Sequence, residues 1–153
     1  MAASSPRGYA LRLLKQRLRS VWEIDQALLR RQVPEEERQE IITSLTEAGL
    51  LDDVRLARAW VNDRDRFQPR GAIVLRQELM KKGIAKEIID QTLRHRLERE
   101  EEPIDEYGQA LQVAEPKMRL YARLDPETRR RRLGGFLLRR GFSLGTVRRI
   151  LDA

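Results

Sequence analysis

The chain has no cysteine, a single histidine and few aromatic side chains. Without cysteine, disulfides and thiolate metal sites are excluded, and a reducing cytoplasm is the expected setting. With aromatics at only 5%, any core must be built from Leu, Ile, Val and Ala. The stacking platforms of sequence-tolerant single-strand binders are missing as well. No apolar run approaches membrane-spanning length. The apolar part of the opening MAASSPRGYALRLL is too short for a secretory signal. His95 stands between Arg94 and Arg96. It lacks the partners within hydrogen-bond reach that a general base needs, so a solvated surface position is expected. Neither G-x-x-x-x-G-K-[ST] nor G-x-G-x-x-G occurs, which leaves nucleotide binding without support. No window alternates apolar and polar residues with β-branched side chains, so no strand is expected. These absences together predict a protein that is not an enzyme and that has no cofactor and no metal.

What the chain has is charge. Charged residues are 36% of the sequence and the net charge is +7, with 26 arginines against five lysines. Helices with broad solvated faces carry charge in this way. Guanidinium binds phosphate and carboxylate bidentately, so nucleic acid or an acidic protein surface is a compatible partner. An arginine-rich proteome or thermal adaptation explains the same bias.

Proline and glycine sit between windows of helical periodicity, as breakers should. Residues 1–8 are expected as a disordered lead-in. A first helix is expected over 9–18. The capping box Ser20-Val21-Trp22-Glu23 opens a second, which buries Ile24, Ala27 and Leu28 and ends near Gln32. Pro34, as a first helical residue, and Glu35, Glu36 and Glu37 open a third, presenting Ile41, Ile42, Leu45 and Ala48 before Gly49. A middle set follows at 53–66, 71–82 and 86–97. Its apolar stripes are Val54, Leu56, Ala57, Trp60 and Val61, then Ala72, Leu75 and Leu79, then Ile88, Ile89, Leu93 and Leu97. An acidic stretch at 98–106 reads as a helix end and linker. The next helix, 104–121, must kink or split at Pro116. Asp125-Pro126-Glu127 opens another, which runs to residue 140 and buries Leu133, Phe136 and Leu137. Ser143 caps the last, with Leu144, Val147, Ile150 and Leu151 apolar.

The second helices line up as an internal repeat. ALLRRQVP at 27–34, ELMKKGIA at 78–85 and FLLRRGFS at 136–143 share leucine, two bases, a break residue, an apolar residue and a helix starter. The break residues Gln32, Gly83 and Gly141 lie 51 and 58 positions apart, which is the span of a three-helix unit. The predicted fold is all-α: an elongated, curved array of three tandem three-helix repeats over 9–51, 52–98 and 99–153. Each unit is too small for a self-sufficient core and leans on its neighbours.

The stretch GLLDDVRLARAW, then RGAIVLRQEL, then KKGI resembles the central repeat of the RecX regulators of the bacterial recombinase RecA. The pattern matches at Gly49, Leu51, Asp52, Asp53, Leu56, Ala57, Trp60, Gly71, Arg76, Glu78, Leu79, Lys82, Gly83 and Ile84. Ser20, Glu23, Ile24 and Leu28 resemble the family's first-repeat motif. Phe136, Leu137, Arg139, Arg140, Gly141 and Phe142 resemble its third. One departure is Val74, where many relatives carry a basic residue; Arg70 precedes the glycine instead. The resemblance implies a regulator that lodges in the groove of a RecA–DNA filament and restrains ATP hydrolysis, strand exchange and filament growth. It also implies a cytoplasmic protein of DNA repair and the SOS response.

Candidate partner and DNA contacts are Arg64, Arg66, Arg70, Lys81, Lys82, Arg139, Arg140 and the run Arg129, Arg130, Arg131, Arg132. Lys81-Lys82 and Arg139-Arg140 also complement the negative ends of their helices. The four consecutive arginines cannot all find carboxylates nearby, since 125–153 holds eight Arg against three acids. They would meet RecA or the phosphates of single- or double-stranded DNA, through contacts that salt weakens. A monomer is expected. Asp52-Asp53 reads as a helix cap in preference to a metal pair. Two rivals stay open. Leu79–Leu93 loosely imitates a helix-turn-helix, although Glu87 and Asp90 in its second helix would repel phosphate. The other is a scaffold for an unrelated acidic partner.

Overall fold

The computed structural model describes residues 5–99 and 103–153. Among these residues there are nine α-helices and no strand. They are α1 Pro6–Gln16, α2 Val21–Arg30, α3 Glu35–Glu47, α4 Asp53–Phe67, α5 Ala72–Lys81, α6 Lys86–Leu97, α7 Glu106–Leu120, α8 Pro126–Arg139 and α9 Leu144–Asp152.

Side-chain caps fix most of the starts. The Ser20 hydroxyl accepts from the Glu23 amide while the Glu23 carboxylate accepts from the Ser20 amide, completing the capping box. Asp52 accepts from the Arg55 amide at 3.1 Å, Asp125 from Thr128 at 2.9 Å and Ser143 from Thr146 at 3.3 Å. Each satisfies one N–H that a helix start leaves without an internal partner.

Three expectations are corrected. The lead-in is shorter than eight residues, because Ser5 accepts from the Gly8 amide and Pro6 starts α1; residues 1–4 lie outside the described residues. Pro34 occupies the N-cap of α3 rather than its first turn, with extended backbone at φ −58°, ψ 148°. Helix α7 is not split at Pro116; the missing N–H there is one bond lost within a helix that buries Ala110 and Ala114. The expected acidic linker includes residues 100–102, which lie outside the described residues.

The chain packs as two compact units. The first takes Met1–Ala59 and Leu79–Asp90, the second Trp60–Glu78 and Gln91–Ala153, so the division passes through α4, α5 and α6. The first unit is centred on Ala10, Ile24, Leu28, Val33, Ile41, Leu45 and Leu51. The second is centred on Ala110, Ala114, Leu133, Leu137, Phe142, Val147 and Ile150. In the middle helices Leu56, Ala57, Val61, Leu75, Leu79, Ile89 and Leu93 are buried as the periodicity predicts. Ala48, Ala72, Leu97 and Leu144 are exposed instead. All four stand at a helix end, where the buried stripe has already run out.

The same joint is built once in each unit. In the first, the Ser20 hydroxyl donates to the Lys82 carbonyl, and the Val21 amide donates to Asp53 at 2.9 Å. Trp22 lies directly on Gly83, so that a Cβ added to that glycine would fall 2.4 Å from the Trp22 Cβ. In the second, the Gly71 amide donates to the Arg140 carbonyl at 2.9 Å, and Val74 lies on Gly141. The start of α2 thus rests on the turn after α5, and the start of α5 rests on the turn after α8. Both turns use a glycine at positive φ, +73° and +87°, which bares the backbone to the incoming helix. The equivalent turn after α2 carries Gln32 at φ 60°. A side chain stands there where the other two turns leave bare backbone.

Glu106 makes the second unit's stability depend on pH. One of its oxygens accepts from the Ser143 amide at 2.9 Å; the other accepts from the Ser143 hydroxyl at 2.9 Å and the Thr146 hydroxyl at 2.6 Å. Burial alone would raise this carboxyl, but those bonds and the nearby Arg96 charge outweigh it and hold it below its ordinary 4.5. A carboxyl lowered on folding adds stability above its unfolded value and loses it as pH falls through the folded one. The midpoint of thermal unfolding should therefore fall with pH below about 4.5, and Glu106→Gln should flatten that part of the profile.

Candidate anion-binding surface

Helical spacing puts Trp60 and Arg64 one turn apart on α4. The Arg64 guanidinium lies 4.7 Å from the Trp60 ring centroid. Both converge on Glu78 of α5: the Trp60 indole N–H donates to Oε2 at 2.7 Å and Arg64 Nε donates to the same oxygen at 3.1 Å. Arg70, in the α4–α5 turn, brings its Nε to 3.1 Å from the other oxygen, Oε1. That contact is an ion pair without hydrogen-bond alignment, and among the described residues Arg70 Nε has no aligned acceptor. Pro69 is buried and Gly71 is bonded to the Arg140 carbonyl, so the turn is fixed against the end of α8.

Arg140 completes the group. Its guanidinium lies 5.2 Å from the Phe136 ring centroid, and Lys117 of α7 approaches the same ring at 5.2 Å. Among the described residues no carboxylate pairs with Arg140. Burial first, and then the charges of Arg70 and Arg64, hold its pKa below the ordinary guanidinium value. Among the described residues Arg64 and Arg70 therefore share the one carboxylate of Glu78, and Arg140 has none. Guanidinium groups so placed are chemically able to bind an oxyanion through charge-assisted bonds.

Arg64, Arg70 and Arg140 are brought together; the other sequence candidates are not part of this group. Arg66 is exposed and lies over Phe67, 5.6 Å from its ring centroid. Lys81 and Lys82 belong to the first unit, where Lys82 lies 3.9 Å from Glu23. The arginine run is spread around α8: Arg130 bonds Asp152 at 2.7 Å and the Leu151 carbonyl at 3.0 Å, and Arg131 lies near Asp125. Arg129 is half-buried, and Arg132 and Arg139 are exposed. Asp52 caps α4 and Asp53 accepts from Val21, in keeping with the capping reading. Among the described residues no group of three His, Cys, Asp or Glu side chains is placed to hold a metal ion.

Sequence reasoning missed two features. Glu78 entered only as one letter of a motif, although a carboxylate one turn from Leu75 and flanked by bases was the available signal. Arg96 entered only as a neighbour of His95. His95 is exposed, but Arg96 is buried, and its guanidinium holds both oxygens of Asp65 at 2.8 and 3.0 Å. It also bonds the Arg70 carbonyl at 3.3 Å and Gln109 at 3.2 Å. This network ties the α4–α5 turn, α6 and α7 together beneath the cationic group.

Three-helix domains in succession, two of them carrying the same joint, define an all-helical protein made by tandem repetition. Residues 7–45, 52–93 and 104–151 match, in order, the first, second and third three-helix domains of RecX. The chain belongs to the RecX family. It is 34% identical over 146 residues to the regulatory protein RecX of Streptomyces coelicolor, covering 95% of this chain and 74% of that one. It is 33% identical over 145 residues to that of Chlorobium phaeobacteroides, covering 94% and 89%. The crystal structure of RecX from Lactobacillus salivarius superposes with a TM-score of 0.78 at 23% identity, covering 96% of this chain and 92% of that one. At that identity the likeness concerns the fold. Among the described residues no helix is long and apolar enough to cross a membrane.

Proposed function

We propose that this chain is a cytoplasmic, monomeric regulator that binds the RecA–DNA filament and lowers its ATPase, strand exchange and growth. The observation that carries the reading is the ordered set of three RecX domains along one chain. The convergent cations on the second unit supply a means of docking on acidic protein or on DNA. Tandem domains make several contacts at once, and their combined avidity exceeds that of any one contact. Arg66, Lys81, Lys82, Arg129, Arg131, Arg132 and Arg139 add positive charge that steers the approach. The stand-alone helix-turn-helix reading has less support, because the exposed Glu87 opens α6 with a charge that phosphate repels.

The test is a titration of the chain into the DNA-dependent ATPase of the cognate recombinase. ATP hydrolysis should fall as the chain approaches stoichiometry with the filament. A variant with Arg129, Arg130, Arg131 and Arg132 changed to Ser should need several-fold more protein and show a weaker dependence on salt. ATPase that is unchanged at excess of the unmodified chain rejects the regulator reading.

A further inference from the structure

We infer that Arg64, Arg70 and Arg140 form a seat for one phosphodiester of DNA, and that Glu78 is the resident anion that tempers it. The inference deepens the proposed function and rests on its claim that DNA is part of the target.

The geometry carries it in three steps. Glu78 spends its two oxygens on Trp60, Arg64 and Arg70. That pairing holds Arg64 and Arg70 in place and neutralises one positive charge, leaving an excess of two over the three guanidinium groups. Arg140 has its aromatic support, Phe136, but no carboxylate among the described residues. Among the described residues Arg70 Nε, buried in the same group, has no aligned acceptor. An oxyanion entering between Arg70 and Arg140 would give Arg140 the anionic partner it lacks and the Arg70 guanidinium a second one beside Glu78. Burial lowers the Arg140 pKa most and the charges of Arg70 and Arg64 lower it further; a bound anion relieves that repulsion.

A phosphodiester fits better than the carboxylate of an acidic protein. A planar carboxylate already sits in the fork position, as Glu78. The remaining donors come from two separate elements, the α4–α5 turn and the end of α8, and a tetrahedral phosphodiester offers a free oxygen to each. Arg140 and Lys117 approach the same Phe136 ring. Paired cations on one ring suit a chain that repeats its charge at short intervals.

The experiment leaves recombinase out, so that its result stands apart from the fate of the regulator reading. A labelled oligonucleotide, single-stranded in one arm and duplex in the other, is titrated with the unmodified chain, R140Q and E78Q over a range of salt. R140Q should weaken binding about tenfold at low salt, and its slope against log salt should shrink by about 0.7 for single strands or 0.9 for duplex, the loss of one phosphate contact. E78Q should act in the opposite direction and tighten binding about threefold, which a misfolded variant would not do. An effect confined to one arm identifies which form of DNA supplies the phosphate. Equal affinity of R140Q and the unmodified chain overturns the seat. So does weakening by E78Q. So does a poly-glutamate peptide whose binding depends on Arg140 while DNA binding does not.

Discussion

Gly71→Ala is expected to destabilise the second unit by about 3 kcal/mol or more, enough to lower its thermal midpoint by about 10 °C. The reason is space rather than backbone freedom. A Cβ at residue 71 would fall 1.8 Å from the Gly141 carbonyl oxygen, 2.1 Å from its carbon and 2.6 Å from the Phe142 nitrogen. All three are backbone atoms in a turn whose Gly141 is itself at φ +87°, so no flexible side chain can yield. The start of α5 would have to lift from the end of α8, breaking the bond from the Gly71 amide to the Arg140 carbonyl. Losing that buried bond adds about 1 kcal/mol to the overpacking cost. Gly145→Ala is the control. No neighbouring atom lies within 4 Å of its added Cβ and its φ is not positive, so alanine in helix α9 should stabilise by about 0.5 kcal/mol. Thermal unfolding followed by circular dichroism separates the two. Equal midpoints for G71A and the unmodified chain would mean that the joint does not form as described.

The parts legible in the sequence were those with a local signal. Ser20, Asp125 and Ser143 declared their helices because a capping side chain bonds an amide two or three residues on, and that relation is written in sequence order. The buried set Ile24, Leu28, Leu75, Leu79, Leu133 and Leu137 followed from helical spacing alone. The three turns at Gln32, Gly83 and Gly141 emerged as a repeat. Their use did not, because it depends on which helix start arrives at each turn. Gly71 read as a breaker, yet its φ is not positive; it is glycine because another backbone passes through the space of its side chain. The candidate site was legible by residue type and not by grouping. Arg64, Arg70 and Arg140 were named with eight other bases, and nothing in their numbering joins residue 70 to residue 140. The eye-catching run at 129–132 turned out to encircle α8, as consecutive residues at 100° steps must.

Asp65→Ala is the second large effect, expected at about 3–5 kcal/mol, because it strands a buried charge. Arg96 is 4% exposed, and its guanidinium faces both Asp65 oxygens. Arg99 adds a third cation contact at 3.6 Å from Asp65 Oδ2, and Gln109 donates to Oδ1 at 3.3 Å. Among the described residues, removing the carboxylate leaves Arg96 with only the Arg70 carbonyl and the Gln109 side-chain oxygen, both beyond 3.1 Å. The large loss measures that uncompensated charge and not the net worth of the pair, since desolvation offsets much of a buried pair's attraction. The combined variant Asp65→Ala with Arg96→Met separates the two quantities. It removes both charges and keeps an apolar stem in place of the guanidinium, so it should recover at least half of the stability lost by Asp65→Ala alone. Denaturant unfolding of the two single variants and the double variant closes the cycle. A double variant as unstable as the sum of the singles would show that Asp65 and Arg96 act independently. The same variant tests the phosphate seat proposed above, because Arg96 bonds the carbonyl of Arg70 and so helps set the turn that carries Arg70. The double variant should fold and yet bind DNA more weakly than the unmodified chain, with the Arg70 turn released while Arg64 and Arg140 remain.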